Sequence, residues 1–294
     1  MKKLLLFLPS FLLLSCKLDL EATEVKPLIV QPKMVVVSFI SPQSIKHVVS
    51  VTLSKPVFSA YDYNNSSRFT AVEKALVVIS NGSNEAIFAY NYEEEIYELA
   101  ADAYPIESGR TYFLTVTAPD GRKVKATCTV PAKTNTDIKL ANFVSSEEKT
   151  GAGSSKTTYS VDVEWIDLPG TGDFYRVYAH VKLDREELNM ARFIFNGDDL
   201  IQNFISDQDQ DMGRFIVKNG ILTSYNFGTL NDSLKEIYCT LLTTDRNYFL
   251  YHQYLYKTSY SSFGEPLLPF TNMEGGLGIF AAYNQYTKIF TIDK

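Results

Sequence analysis

The fold of this chain is decided by residues 112–130, YFLTVTAPDGRKVKATCTV. In the first half of this segment apolar residues alternate with polar ones, which is the period of a strand with one buried face. Pro119, Asp120 and Gly121 favour a tight turn, because proline presets φ at the second turn position and glycine accepts a left-handed φ. The alternation then resumes up to Val130, so the segment predicts an antiparallel β-hairpin.

The segments around this hairpin show the same strand pattern. Residues 34–40 form a nearly continuous apolar run, and Asn81-Gly82 supplies the positive φ angles of a second hairpin. We find no convincing helical period in this part of the chain. An immunoglobulin-like β-sandwich over residues 34–132 fits these strands and turns best.

A short segment, residues 131–137, is expected to link this sandwich to a second domain over residues 138–294. Strands with alternating burial are predicted at residues 159–165 and 175–183. A Gly/Ser/Thr-rich stretch at residues 150–158 predicts a loop.

One helix is predicted, from Asp245 to Thr258, with Thr244 as its cap and Asp245 at the positive end of its dipole. The predicted fold class is therefore all-β: an N-terminal immunoglobulin-like sandwich followed by a larger β-rich domain with one helix.

The start of the chain carries a targeting signal. A short basic start precedes an apolar run over residues 4–14, which is too short to span a bilayer as a helix. Ser15 and Cys16 follow where a cleavage site would lie, and this order resembles the lipobox of bacterial lipoproteins. Residues 1–15 are predicted as the signal peptide and residues 16–33 as a tether lipidated at Cys16. The alternative is an ordinary signal peptide with an incidental cysteine.

The composition limits the classes of partner. A hydrophobic fraction of 45% with 21% charged residues is typical of a globular protein. The net charge of −6 and the lack of a basic cluster argue against nucleic acid and against electrostatic docking on anionic lipid. Attachment to the outer membrane is therefore expected through the acylated Cys16.

Two further cysteines, Cys128 and Cys239, have two interpretations. An exported protein can pair them in a disulfide. Cys128, however, shares the buried face of its predicted strand with Val124 and Val130, where cysteine behaves as a small hydrophobe. The pattern favours two unpaired core cysteines.

The segment most similar to a metal site holds Asp207, Asp209 and Asp211. Alternating carboxylates can converge on calcium. The sixth and twelfth positions of an EF-hand loop are occupied here by Met212 and Lys218, so that motif fails. A solvated acidic turn is favoured, and neither a metal nor a cofactor is predicted.

No catalytic residue is predicted, and the chain is not expected to be an enzyme. His47, His180 and His252 lack the spacing of zinc ligands, and His180 is predicted on a surface face beside Arg176. The sequence contains neither a nucleophile elbow nor a phosphate-binding glycine loop.

The predicted helix carries Tyr248, Tyr251 and Tyr254, which are candidate ligand contacts. Such a cluster can form a platform that stacks on sugars, or an anchor at a protein interface. A helix that packs on a sheet needs apolar residues of the same kind, and core packing is favoured.

Several blocks give the chain a family resemblance. Residues 105–112, PIESGRTY, and residues 204–207, FISD, precede the most specific block, residues 269–280, PFTNMEGGLGIF. With these blocks the chain resembles the DUF4249 lipoproteins of Bacteroidetes, a domain family of unknown function. The family pattern is carried here by Asn272, Gly275, Gly276, Gly278 and Phe280. The favoured explanation of this block is structural. The paired glycines can form a turn, and the third glycine marks a β-bulge or a close approach of two backbones.

The resemblance implies no activity. Family members are often encoded beside TonB-dependent outer-membrane receptors, which implies such a receptor as a partner. The predicted function is a lipid-anchored, non-enzymatic outer-membrane accessory lipoprotein. The alternative is a surface lipoprotein that binds a glycan or another ligand on its own.

Overall fold

The computed structural model describes residues 31–54, 70–151, 154–183, 191–195, 204–207, 213–227, 234–259 and 270–292. The predicted signal peptide, Cys16 and most of the predicted tether lie outside these residues, as do Asp209 and Asp211.

Over residues 34–40 and 123–129, every second side chain is buried, as the alternation predicts. The strands of the first half of the described chain are β1 Met34–Ile40, β2 Lys46–Leu53, β3 Thr70–Ala71, β4 Leu76–Ser80, β5 Glu85–Ile87, β6 Ala89–Asn91, β7 Ile96–Ala100, β8 Thr111–Thr117 and β9 Lys123–Thr129.

The second half contains longer strands and one helix. These elements are β10 Ile138–Gly151, β11 Ser154–Ile166, β12 Phe174–Leu183, β13 Ala191–Phe195, β14 Phe204–Ser206, β15 Arg214–Phe227, β16 Leu234–Thr244, α1 Arg246–Ser259 and β17 Leu277–Thr291. The protein is therefore all-β with one helix over the described residues, which confirms the predicted fold class.

The N-terminal half is a sandwich of two sheets. Strands β5-β4-β8-β9 form one sheet, and β1-β2-β7-β6 belong to the other. The predicted hairpin is β8-β9, with Tyr112 opposite Cys128 and Val116 opposite Val124. All four of these side chains lie in one buried cluster between the sheets.

The second sheet of the sandwich continues into the rest of the protein. Its order is β10-β11-β15-β13-β12-β16-β17-β1-β2-β7-β6, and the continuity depends on β17. This strand pairs antiparallel with β16 and parallel with β1. Its Phe280 and Ala282 belong to the first core, while Tyr286 and Phe290 pack against the second. The division into residues 34–132 and 138–294 stays a prediction, and sequence analysis did not anticipate that one strand contributes to both cores.

The second core is built from strands of the long sheet. Strands β10, β11, β12, β15 and β16 all contribute buried side chains to it, so the sheet curves around its own apolar face. Trp165 lies in this cluster with its ring centroid 5.7 Å from that of Tyr175 and 5.5 Å from that of Phe215.

Two local predictions are wrong. The loop predicted at residues 150–158 lies largely in a β-hairpin, because residues of β10 pair with β11 up to Gly151 opposite Ser154. Residues of β11 such as Thr157 and Thr158 also pair with β15 on the other side, and this pairing outweighs the turn-like composition. The helix begins at Arg246 with Asp245 as its cap, because Thr244 is the last residue of β16.

Cys128 and Cys239 are both buried and free, and they lie in different cores. Burial raises the pKa of Cys128 well above its ordinary value and that of Cys239 to about 12. Both thiols therefore stay protonated at neutral pH. Among the described residues, no helix has both the length and the apolar character that a membrane span requires.

Candidate ligand-binding cleft

One cavity of about 340 Å³ lies between α1 and a face of the long sheet. Strand register builds this face, because Arg176 pairs with Leu242 and Leu242 pairs with Gln285 across three neighbouring strands. The two-residue period of a strand places the other lining residues of β12 and β17 on the same face. We call this cavity the α1 cleft, and it is lined by Phe39, Arg176, Tyr178, His180, Leu242, Tyr248, His252, Tyr283 and Gln285.

Asp245 positions the helix over this face. One carboxylate oxygen accepts the backbone N–H of Tyr248 at 2.8 Å, which caps α1. The other accepts the N–H of Ala282 at 3.2 Å, and the N–H of Asp245 donates to the Ala282 carbonyl at 2.9 Å. The start of α1 is therefore bonded to β17. Burial raises the pKa of Asp245 to about 7, against three backbone N–H groups that lower it.

Arg176 is the charged residue in the lining of the cleft. Its Nη1 donates to the Tyr248 hydroxyl at 2.6 Å. The guanidinium carbon lies 5.6 Å from the ring centroid of Tyr178 and 5.0 Å from that of Phe204, within the range of cation–π contact. Among the described residues, its buried Nε has no hydrogen-bond partner and no carboxylate forms an ion pair with the guanidinium.

His252 lies one helical turn after Tyr248 and presents a neutral ring. Its Nδ1 is 2.9 Å from the Tyr248 carbonyl oxygen, and its ring centroid is 4.2 Å from that of Tyr248. Burial lowers the pKa of His252 to about 4, with the charge of Arg176 a smaller cause. At neutral pH Nδ1–H therefore donates to the carbonyl, and Nε2 is an acceptor.

The structure separates the three tyrosines predicted as ligand contacts. Tyr248 lines the α1 cleft. Tyr251 is half-buried, with its ring centroid 6.0 Å from that of Phe39, and does not line the cleft. Tyr254 is also half-buried on α1 and outside the lining. Tyr248 and Tyr251 both pack in the cluster between α1 and the sheet.

The amide of Asn272 in the C-terminal motif is bonded to backbone. Its Nδ2 donates to the carbonyls of Phe280 at 2.7 Å and Thr127 at 3.1 Å, and its Oδ1 accepts the N–H of Phe280 at 3.0 Å. Asn272 therefore joins the segment before β17 to β17 itself and to β9.

The three glycines of the motif lie where neighbouring chains approach closely. A Cβ at Gly275 would be 2.5 Å from the Lys123 carbonyl oxygen, and one at Gly276 would be 2.6 Å from a methyl group of Val124. At Gly278, where φ is +112°, a Cβ would be 1.9 Å from the Val36 carbonyl oxygen. Close packing therefore explains the presence of glycine at each of these three positions.

Three carboxylates form a group that could hold a metal ion. Oxygens of Asp167, Asp173 and Asp207 lie within 4.8 Å of one another. Asp207 accepts the N–H groups of Gly172 and Asp173, each at 3.1 Å, and Asp167 accepts the Tyr175 hydroxyl at 2.7 Å. Asp207 is only 1% exposed, so the prediction of a solvated turn is wrong at this residue. Its carboxylate orders the turn before β12.

Arg176 was not predicted as a site residue, and His180 was predicted on the surface. The structure shows His180 half-buried and lining the cleft. The available signal was the polar, aromatic face of β12 at Arg176, Tyr178 and His180, opposite a fully buried apolar face. That face is covered by an aromatic helix distant in sequence, which no local pattern reveals.

Comparison with known proteins places the chain in a family. A family model described as a domain of unknown function, DUF4249, matches residues 18–289. No curated protein matches the chain. Since the family match spans nearly the entire sequence, this protein belongs to the DUF4249 family.

Proposed function

We propose that this protein is a non-enzymatic, lipid-anchored binding lipoprotein of the outer membrane, of the kind found in Bacteroidetes, and that it holds its ligand in the α1 cleft. The observation that carries the proposal is Arg176, a cation in contact with two aromatic rings and without a carboxylate partner among the described residues. A protein-bound charge in this state favours a ligand that supplies the missing counter-charge or hydrogen bonds.

The size and lining of the cleft support binding. Its volume of about 340 Å³ is in the range of small-molecule sites, and it combines apolar rings with a few polar groups. The described residues that line it include no carboxylate, thiol or aliphatic hydroxyl that could act as a nucleophile. The Nδ1 of its half-buried His252 is bonded to backbone, and the low pKa of that ring makes it a weak base.

A variant that fills the cleft tests this proposal. We expect Gln285→Trp to abolish binding of the wild-type protein's ligands on a glycan array, because the indole would occupy the cavity. Ile289→Trp is the matched control, since Ile289 is on the same strand, is 53% exposed and does not line the cleft. Equal array profiles for the wild type and Gln285→Trp would contradict the assignment of the cleft, and an empty wild-type profile would contradict the glycan-binding form of the proposal.

The lipid anchor rests on Cys16 and the apolar run before it. We expect Cys16→Ser to abolish incorporation of labelled palmitate and to release the protein from the membrane fraction, because the thiol is the acylation site. Membrane retention and labelling of the serine variant would contradict the anchor.

A TonB-dependent receptor is the proposed partner, and the family's genomic context supports it. Crosslinking of the tagged protein in intact cells, followed by mass spectrometry, tests this step. Recovery of such a receptor at near-equal abundance is the expected result. Recovery of the lipoprotein alone would favour a protein that captures its ligand without a partner.

A further inference from the structure

We propose that the ligand of the α1 cleft is a small sugar acid, whose carboxylate pairs with Arg176 while its hydroxyl groups bond to polar groups of the cleft. This inference rests on the proposed function, because it names the class of ligand for the same cavity.

The charge balance of the cleft points to an anion. Among the described residues that line it, Arg176 is the cation and none is acidic. A guanidinium has five N–H donors. Among the described residues, the Tyr248 hydroxyl accepts one hydrogen bond from them. Burying such a cation without a counter-ion is unfavourable, whereas a bidentate carboxylate supplies both the charge and two acceptors.

The guanidinium is held in place before any ligand arrives. The hydrogen bond from Nη1 to the Tyr248 hydroxyl fixes one edge of the planar guanidinium. The ring centroids of Tyr178 and Phe204 lie 5.6 and 5.0 Å from the guanidinium carbon. A guanidinium that is already oriented loses little rotamer entropy when a ligand binds. This favours a bidentate contact with a planar carboxylate over a single, mobile ion-pair contact.

The remaining groups of the cleft fit a polyhydroxylated body. His252 presents Nε2 as an acceptor for a hydroxyl, because its other ring nitrogen bonds to the Tyr248 carbonyl. Gln285 adds an amide beside Leu242, and Tyr178 and Tyr283 add aromatic surface with hydroxyl tips. A sugar ring offers hydroxyl groups for hydrogen bonds with His252 and apolar C–H faces for the aromatic rings, whereas an apolar acid offers only apolar contacts.

Matched sugars give a direct test by isothermal titration calorimetry on the mature protein. Galacturonate and glucuronate differ from galactose and glucose at C6, where a carboxylate replaces a hydroxymethyl group. We expect at least one of these acids, or N-acetylneuraminate, to bind the wild type about tenfold or more tightly than the neutral sugars. Arg176→Gln should remove that preference, and Arg176→Lys should retain only part of it, because lysine keeps the charge without the planar guanidinium.

Each outcome decides the inference. Equal binding of acid and neutral sugars would overturn the role of the carboxylate, while cleft binding itself would stand if Gln285→Trp still abolished it. Failure of every acid to bind the wild type would overturn the inference, and the glycan array would decide separately whether the protein binds neutral glycans. If Arg176→Gln shows no cooperative thermal unfolding, Arg176→Lys and the matched ligands still provide the test.

Discussion

At the scale of single residues, Gly278 shows how a sequence motif can encode a close approach of two strands. Its position on β17 lies opposite Val36 on β1, and a Cβ there would overlap the Val36 carbonyl at 1.9 Å. The neighbour is backbone and cannot rotate away. The contact therefore requires glycine for space as well as for its positive φ.

We expect Gly278→Ala to lower the free energy of unfolding by more than about 4 kcal/mol, because β1 and β17 would have to separate. Gly121→Ala is the matched control: its φ is +87° and a Cβ there meets nothing within 4 Å. That change should cost only about 1–2 kcal/mol from the left-handed backbone. Chemical denaturation of both variants measures the difference, and equal losses would contradict the role of the close approach.

At the scale of elements, α1 is attached to the sheet through the carboxylate of Asp245, which bonds to the helix and to β17 at once. Burial raises the pKa of this carboxyl from 3.8 to about 7 in the folded state. The folded protein therefore binds more protons than the unfolded chain between these values. The contribution of this carboxyl to the free energy of unfolding is fully present below pH 3.8 and is lost as the pH rises through 7.

We expect the wild type to lose stability relative to Asp245→Asn as the pH rises from about 4 to about 7, because asparagine does not ionise. Urea denaturation of both proteins across this range measures the difference, in which the titration of other groups largely cancels. A constant difference across the range would show that the carboxyl has an ordinary pKa.

At the scale of the whole molecule, β17 couples two cores. Phe280 and Ala282 pack in the first core, and Tyr286 and Phe290 pack against the second. Loss of either core would strip the strand of partners on one side. We therefore expect both halves to unfold in a single transition.

The single tryptophan makes this coupling measurable, because Trp165 lies in the second core. Leu114→Ala removes a buried side chain of the first core and should cost about 3 kcal/mol. We expect it to lower the urea midpoint reported by Trp165 fluorescence. The exposed Thr127→Ala in the same sheet should leave that midpoint nearly unchanged. An unshifted tryptophan signal in Leu114→Ala would mean that the halves unfold independently.

Local sequence determined strands and turns in several segments where one face of a strand is buried. The alternation in residues 112–130 and the turn at Pro119-Asp120-Gly121 predict the β8-β9 hairpin, and the apolar run at residues 34–40 coincides with β1. These signals are local because side-chain period and turn geometry involve neighbours in the chain. The family motif was also visible in sequence, although its close contacts were not.

Only the tertiary structure decided which distant segments meet. The parallel pairing of β17 with β1 joins residues more than two hundred positions apart, and it connects one sheet of the sandwich with the second β-rich unit in one continuous sheet. The α1 cleft arises in the same way, since β1, β12, β16, β17 and α1 each contribute lining residues. Arg176 is identified as a site residue by the aromatic rings around it and by the lack of a carboxylate partner among the described residues. Both features depend on packing between segments distant in sequence, which no local periodicity encodes.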